Sequence, residues 1–101
     1  MPFVYILKCA DNSYYTGSTT NLELRMAQHQ SGYFKGYTSW RLPVTLVWWA
    51  EFPNEHEAFL RERQIKGWSR EKKDALIQDD WDRIHTIVTQ ERERRRKTNT
   101  G

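Results

Sequence analysis

A single cysteine, Cys9, has no second thiol in the chain to pair with, which excludes an internal disulfide and points to a reducing, cytoplasmic setting. Long apolar runs are missing as well. The opening MPFVYILK carries five apolar residues in a row, with no basic segment before them and no small-residue cleavage site after, and nothing later reaches membrane-spanning length. Targeting and membrane insertion are therefore not expected. The three histidines, His29, His56 and His85, lie far apart, and with one cysteine they make no zinc-binding spacing. HEAFL begins like a zinc-protease helix, but Leu60 stands where its second histidine belongs. Walker A, G-x-G-x-x-G and G-x-S-x-G segments are absent too, which removes the usual signatures of nucleotide hydrolysis, dinucleotide binding and serine hydrolysis.

Excess charge is scarcer than the net +3 suggests. ERERRRK, residues 91 to 97, holds five cations and two anions, while residues 1 to 90 hold eleven of each sign. The body is neutral, so charge supports a basic tail and a local patch rather than a uniformly basic binding surface. The one internal basic cluster is RERQIKGWSREKK, residues 61 to 73, with six cations against two anions.

What the chain does have is aromatic and patterned. At 101 residues, 38% apolar and 14% aromatic, it is long enough for one modest core and too aromatic to stay disordered. No repeat and no Pro/Gly/Ser linker divides it, so one domain over residues 1–90 and a flexible basic tail over 91–101 are expected. FVYILK and SYYTG read as strands joined by the turn ADNS. Thr20 and Glu23 have capping-box spacing ahead of a helix from about Asn21 to Gln30, on which Leu22, Met26 and His29 share a face. SGYFKGYTSWRLP, residues 31 to 43, reads as a long surface loop. VTLVWWAEF alternates as a third strand ended by Pro53. Asn54 starts a helix to about Lys66, where Gly67 stops it, and Ser69 starts a shorter one to about Ile77. Asp79 or Asp80 starts the last, whose apolar stripe is Trp81, Ile84 and Val88. This order predicts an α+β fold, a small antiparallel three-stranded sheet flanked by helices.

Several residues admit two readings. Ala58, Phe59 and Ile65 mark an apolar arc on the second helix, and Glu62 falls inside it. Burying an unpaired carboxylate costs on the order of several kcal/mol, so Glu62 requires a cation, hydrogen bonds or a metal. Lys66, four residues on, is the simplest partner, and a metal is the rival. His29, with Arg25 on its flank, is either a satisfied interior histidine or a site residue; Tyr5 and Tyr15 are either ordinary strand aromatics or part of the same site. In the loop, Tyr33, Phe34 and Tyr37 either offer stacking faces to bases, with Lys35 and Arg41 meeting phosphates, or fold back over the core. Lys66, Arg70, Lys72 and Lys73 either track a phosphate backbone or form a solvated face.

As an ordered set these residues resemble the GIY-YIG nuclease family in its small stand-alone bacterial form. The two signature strands correspond to FVY ending at Tyr5 and YTG from Tyr15 to Gly17; RMAQH supplies Arg25 and His29, and EAFLRERQIK is similar to the family's glutamate helix, with Glu62 as its carboxylate. The likeness spans roughly residues 3–77. Phe3 replaces the first signature glycine, Thr16 the second signature's isoleucine, and Ser18 a lysine that contacts phosphate in excision-repair relatives. The resemblance implies a metal-dependent endonuclease hydrolysing phosphodiester bonds in DNA rather than RNA, in repair or in processing of branched or single-stranded forms. It implies Tyr5, Tyr15, Arg25, His29 and Glu62 as catalytic residues, one Mg²⁺ or Mn²⁺ on Glu62, and nucleic-acid contacts from Ser18, Lys35, Tyr37, Arg41, Lys66 and Arg70. The competing expectation is a nucleic-acid-binding module with this fold but little turnover, relying on a protein partner for specificity. A protein-interaction domain built on the last helix and tail is a third.

Overall fold

β1 (Phe3–Lys8) forms the middle of the sheet because its central residues are apolar toward both faces: Val4, Tyr5, Ile6 and Leu7 have no exposed surface. β2 (Tyr14–Thr19) and β3 (Thr45–Glu51) pair with it antiparallel on either side, in the order β2-β1-β3. The α+β architecture expected from the element order is present. The computed structural model describes residues 1–31, 38 and 41–99, with side chains through Arg94. Between β1 and β2 the chain turns through Asn12, whose φ of 68° lies in the left-handed region that asparagine tolerates. Its amide donates to the Cys9 carbonyl, and the Cys9 amide donates to that of Ser13. The β1–β3 register shifts between Ile6 and Leu7, an irregularity that simple alternation in VTLVWWAEF does not reveal.

The described chain forms two compact units, Met1–Gly67 and Trp68–Gly101. In the first, Tyr5, Leu7, Cys9 and Val44 make a buried cluster against which Tyr15, Leu22, Met26, Leu42 and Leu46 pack. α1 (Leu22–Gln30) is capped by Asn21, whose Oδ1 accepts the Leu24 amide at 3.1 Å, and not by Thr20. Asn21 is a stronger cap, and Thr19 Oγ1 accepts its amide at 3.2 Å, holding it in the extended capping conformation. α2 (Glu55–Lys66) is capped by Asn54, which accepts the Glu57 amide at 2.8 Å, and ends at Gly67. Ala58 and Ile65 are buried as expected, but Phe59 is half exposed and does not belong to the inward arc. One residue past Ala58 is a rotation of roughly 100° on a helix, enough to carry the ring to the rim.

In the second unit, α3 (Arg70–Ile77) begins at Ser69, which accepts the Lys72 amide. It ends in a Schellman motif: Asp79, at φ 57°, takes the position usually given to glycine, with the Asp80 amide donating to Ala75 and the Asp79 amide to Leu76. α4 (Trp81–Asn99) turns Ile84 and Ile87 inward. The stripe expected from Trp81, Ile84 and Val88 is therefore corrected: Trp81 is exposed and its Nε1 donates to Asp79 Oδ1, which holds the indole over the preceding turn. The backbone stays helical past Gln90 through the cationic run to Asn99. Among the described residues no helix is long and apolar enough to cross a membrane.

One strand position runs against the packing. Thr16 is buried, yet its Oγ1 has no hydrogen-bond partner among the described residues. Replacing a hydroxyl with a methyl of the same shape removes the unmet desolvation cost, about 1 kcal/mol. Thr16→Val is accordingly expected to raise the melting temperature by roughly 4–8 °C in a circular dichroism melt; an unchanged or lowered value would mean that the hydroxyl is satisfied.

Candidate active site

The site is built on one bare Cα. Gly17 faces Tyr5 across the β1–β2 pair, and a Cβ there would lie 2.5 Å from the Tyr5 Oη, 2.6 Å from its Cζ and 3.1 Å from a ring carbon of Tyr15. Only glycine lets the Tyr5 ring lie down on β2. In that position the Tyr5 hydroxyl is 2.9 Å from Nε2 of His29, and Nδ1 of the same ring is 2.9 Å from Thr38 Oγ1. Tyr5, His29 and Thr38 are all buried, so both ring nitrogens of His29 are engaged away from bulk water. The Tyr15 ring stands edge-on to His29 at 5.2 Å and tilted to Tyr5 at 6.4 Å. α1 supplies Arg25 one turn before His29, and the guanidinium interacts with the Tyr5 phenol.

The electrostatics keep this group uncharged apart from Arg25 and Glu62. Burial, and then the neighbouring Tyr15, push the Tyr5 phenol far above its ordinary value, against an opposing pull from Arg25. Burial and the Glu62 carboxylate push Tyr15 up, again opposed by Arg25. Burial, followed by the positive charge of Arg25, holds His29 below its ordinary value of 6.5. Two neutral phenols and a neutral imidazole result near pH 7. A neutral imidazole donates from one nitrogen and accepts at the other, and the pair of 2.9 Å contacts is satisfied when Tyr5 donates to Nε2 and Nδ1 donates to Thr38, or by the reverse arrangement.

Glu62 reaches the site from α2, on the face of Ala58 and Ile65. Its side chain is 15% exposed, and its charge is felt by both tyrosines. The Lys66 partner sits 3.9 Å away on a side chain that is 51% exposed, beyond hydrogen-bond reach and open to water, so this ion pair compensates the carboxylate only weakly. Among the described residues no group of three or more His, Cys, Asp or Glu side chains gathers to hold a metal. A single inward carboxylate suits Mg²⁺ or Mn²⁺, which take most of their ligands from water and phosphate oxygens, and does not suit zinc.

Tyr5, Tyr15, Arg25, His29 and Glu62, which lie up to 57 positions apart in sequence, are thus together in the first unit. Ser18 lines a cleft of about 360 Å³ together with Arg25. Arg41 is paired with Asp11 at 2.9 Å, and its carbonyl accepts the Ala10 amide, so its described contacts tie the end of the long loop to the β1–β2 turn. Lys66 is exposed on the last turn of α2, and Arg70 opens α3 in the second unit. Lys35 and Tyr37, with Tyr33 and Phe34, lie outside the described residues. Thr38 is the residue the sequence did not single out. It stands nine positions after His29 in an aromatic loop, and no periodicity links the two.

Comparison with known proteins bears on this arrangement of tyrosines, arginine, histidine and glutamate. The GIY-YIG catalytic domain family matches residues 1–75. The chain belongs to the GIY-YIG family. It is 48% identical over 77 residues to a UPF0213 protein of Staphylococcus haemolyticus, covering 76% of this chain and 94% of that one. A UPF0213 protein of Natronomonas pharaonis is 46% identical over 78 residues, 77% of this chain and 92% of its own. The solution NMR structure of a UPF0213 protein from Bacillus halodurans superposes with a TM-score of 0.51 at 43% identity, covering 77% of this chain and 84% of that chain. That of a protein from E. faecalis gives 0.54 at 33% identity, covering 76% and 82%. In this GIY-YIG domain Thr16, the buried unpaired hydroxyl, falls inside the second signature strand, and α4 lies past the segment that the family matches.

Proposed function

We propose that this GIY-YIG domain is a metal-dependent nuclease that hydrolyses phosphodiester bonds in DNA, in repair or in the processing of branched or single-stranded forms. The observation that carries the reading is the buried Tyr5–His29 hydrogen bond, set beside Arg25 and facing the charge of Glu62. A phenol this deeply buried neither ionises by itself near neutrality nor meets bulk water, so a proton from an attacking water on the Tyr15 side can be taken up at Tyr5 only while Tyr5 passes its own to His29 Nε2. Thr38 holds the opposite nitrogen and keeps the imidazole turned toward Tyr5. Tyr15, less buried than Tyr5, is the tyrosine that a water can reach, and it orients that water. The fork of Arg25 holds two non-bridging phosphate oxygens and offsets the charge that grows on them. Glu62 would hold Mg²⁺ or Mn²⁺, which supplies Lewis-acid stabilisation at the phosphate and the departing oxygen.

The direct test is incubation of the purified chain with duplex, flap, branched and single-stranded DNA, with and without Mg²⁺ or Mn²⁺. Metal-dependent cleavage is expected, with Arg25→Ala abolishing it and Arg25→Lys failing to restore it fully, because an ammonium cannot bridge two oxygens. The imidazole must be neutral to accept the Tyr5 proton, so the rate should rise with pH as His29 loses its charge. Because burial and Arg25 lower that group's pKa, the half-point of the rise is expected below 6.5. Binding of every substrate with cleavage of none would instead make the chain a nucleic-acid-binding module.

A further inference from the structure

The cleft beside Arg25 has a chemistry that phosphate binding alone does not explain. From the end of β2 and the turn into α1 come the hydroxyls of Ser18, Thr19 and Thr20, and α1 adds Arg25; from α2 come Glu55 and Phe59. Its volume of about 360 Å³ is that of a small-ligand cleft, roughly 300–1,000 Å³. The charges of Arg25 and Glu55 cancel, so the cleft does not suit a run of phosphates. It suits one phosphate at the arginine and an uncharged group elsewhere. Phe59 is 49% exposed, and the Arg63 guanidinium lies 5.6 Å from its ring centroid, so an aromatic face and a cation are presented together, the combination on which nucleobases stack. Glu55 can only accept hydrogen bonds, which fits the N–H groups on the edge of a base and repels a second phosphate.

We infer that this cleft is the subsite for the base attached to the phosphate held by Arg25, with Phe59 as its stacking face and Glu55 at its polar edge. The inference rests on the nuclease reading above and goes past it: a nucleotide next to the cleaved bond leaves its own stack and is read by α2. Phe59 is then a specificity-determining residue for which β2 and α1 provide the opposing hydroxyls.

The test is equilibrium binding, by fluorescence anisotropy without divalent ion, of two oligonucleotides of equal length, one of thymidine and one with every base removed. Thymidine stacks poorly on itself, so its bases are available. The wild-type chain should prefer the thymidine strand, and Phe59→Ala should cut affinity for it by about five-fold or more, the loss expected for one base–aromatic stack, while leaving affinity for the abasic strand unchanged. Phe59→Trp should keep the preference. Because Phe59 is already half exposed, the melting temperature of Phe59→Ala should match that of the wild type. Equal losses on both strands, or no loss on either, would overturn the subsite. If the wild-type chain cleaves DNA with Mn²⁺ while Phe59→Ala keeps the full wild-type preference for the thymidine strand, the subsite falls and the nuclease reading stands. If the wild-type chain binds neither strand and cleaves nothing, both fall.

Discussion

Gly17→Ala should cost the protein stability and cleavage together. The added methyl carbon would enter within 2.6 Å of two Tyr5 atoms, far inside any van der Waals contact, and Tyr5 has no exposed side through which to retreat. Overpacking of this kind costs about 1–3 kcal/mol, and displacing the ring strands a buried histidine nitrogen at about 1–3 kcal/mol more. A fall in melting temperature of ten degrees or so is the expected order of magnitude. Cleavage should drop by roughly 10²-fold or more even where the variant is fully folded, since the proton pathway from Tyr5 to His29 is broken. Tyr5→Phe separates the two effects. It keeps the ring on its glycine seat but has no hydroxyl, so it should lose cleavage with a smaller loss of stability. Single-turnover rates measured well below each variant's own melting temperature distinguish the cases. A Gly17→Ala chain as stable and as active as the wild type would show that the ring does not rest on β2.

Glu62→Gln should give the opposite pattern, an intact fold without cleavage. The Glu62 side chain is largely buried, and the Lys66 ammonium paired with it is 3.9 Å away on an exposed side chain, so neutralising the carboxylate removes a desolvated charge at little cost. The melting temperature without metal should hold or rise slightly. Metal is the second readout. Ligand that binds only the folded chain stabilises it by mass action, so Mn²⁺ should raise the wild-type melting temperature and leave that of Glu62→Gln unmoved. If Lys66 were the true reason for an inward carboxylate, Glu62→Gln and Lys66→Met would lose stability alike and cleavage would survive in both. A Mn²⁺-induced rise that persists undiminished in Glu62→Gln would remove the metal from this site.

Among the elements, the residues that speak for themselves are those whose job is local. Asn54, Gly67 and Ser69 bound α2 and α3 because a cap acts on amides and carbonyls within a few positions, and such spacings are visible in one dimension. The same holds for the apolar centre of β1, and the likeness to the GIY-YIG family rests on short ordered segments of this sort. Where two nearby residues compete for one role, as Thr20 and Asn21 do at the start of α1, the outcome turns on which side chain is itself held, here by Thr19. Helical periodicity placed Glu62 correctly on the inward face with Ala58 and Ile65, but it could not say that Phe59 and Trp81 stay at the surface, because exposure depends on what other segments leave uncovered.

Long-range partners are the remainder. Capping, strand pattern and element order determined that the chain folds as an antiparallel sheet with helices, and the ordered likeness to the GIY-YIG family brought Tyr5, Tyr15, Arg25, His29 and Glu62 forward as a set. Only the tertiary structure decided that Tyr5 lies on Gly17, that His29 is held between Tyr5 and Thr38, and that Lys66 is too far away and too exposed to neutralise Glu62. The reason is physical: a propensity or a cap is an interaction between neighbours in the chain, whereas the pairing of a buried hydroxyl with an imidazole 24 positions away is set by strand register and helix packing, which no local spacing encodes.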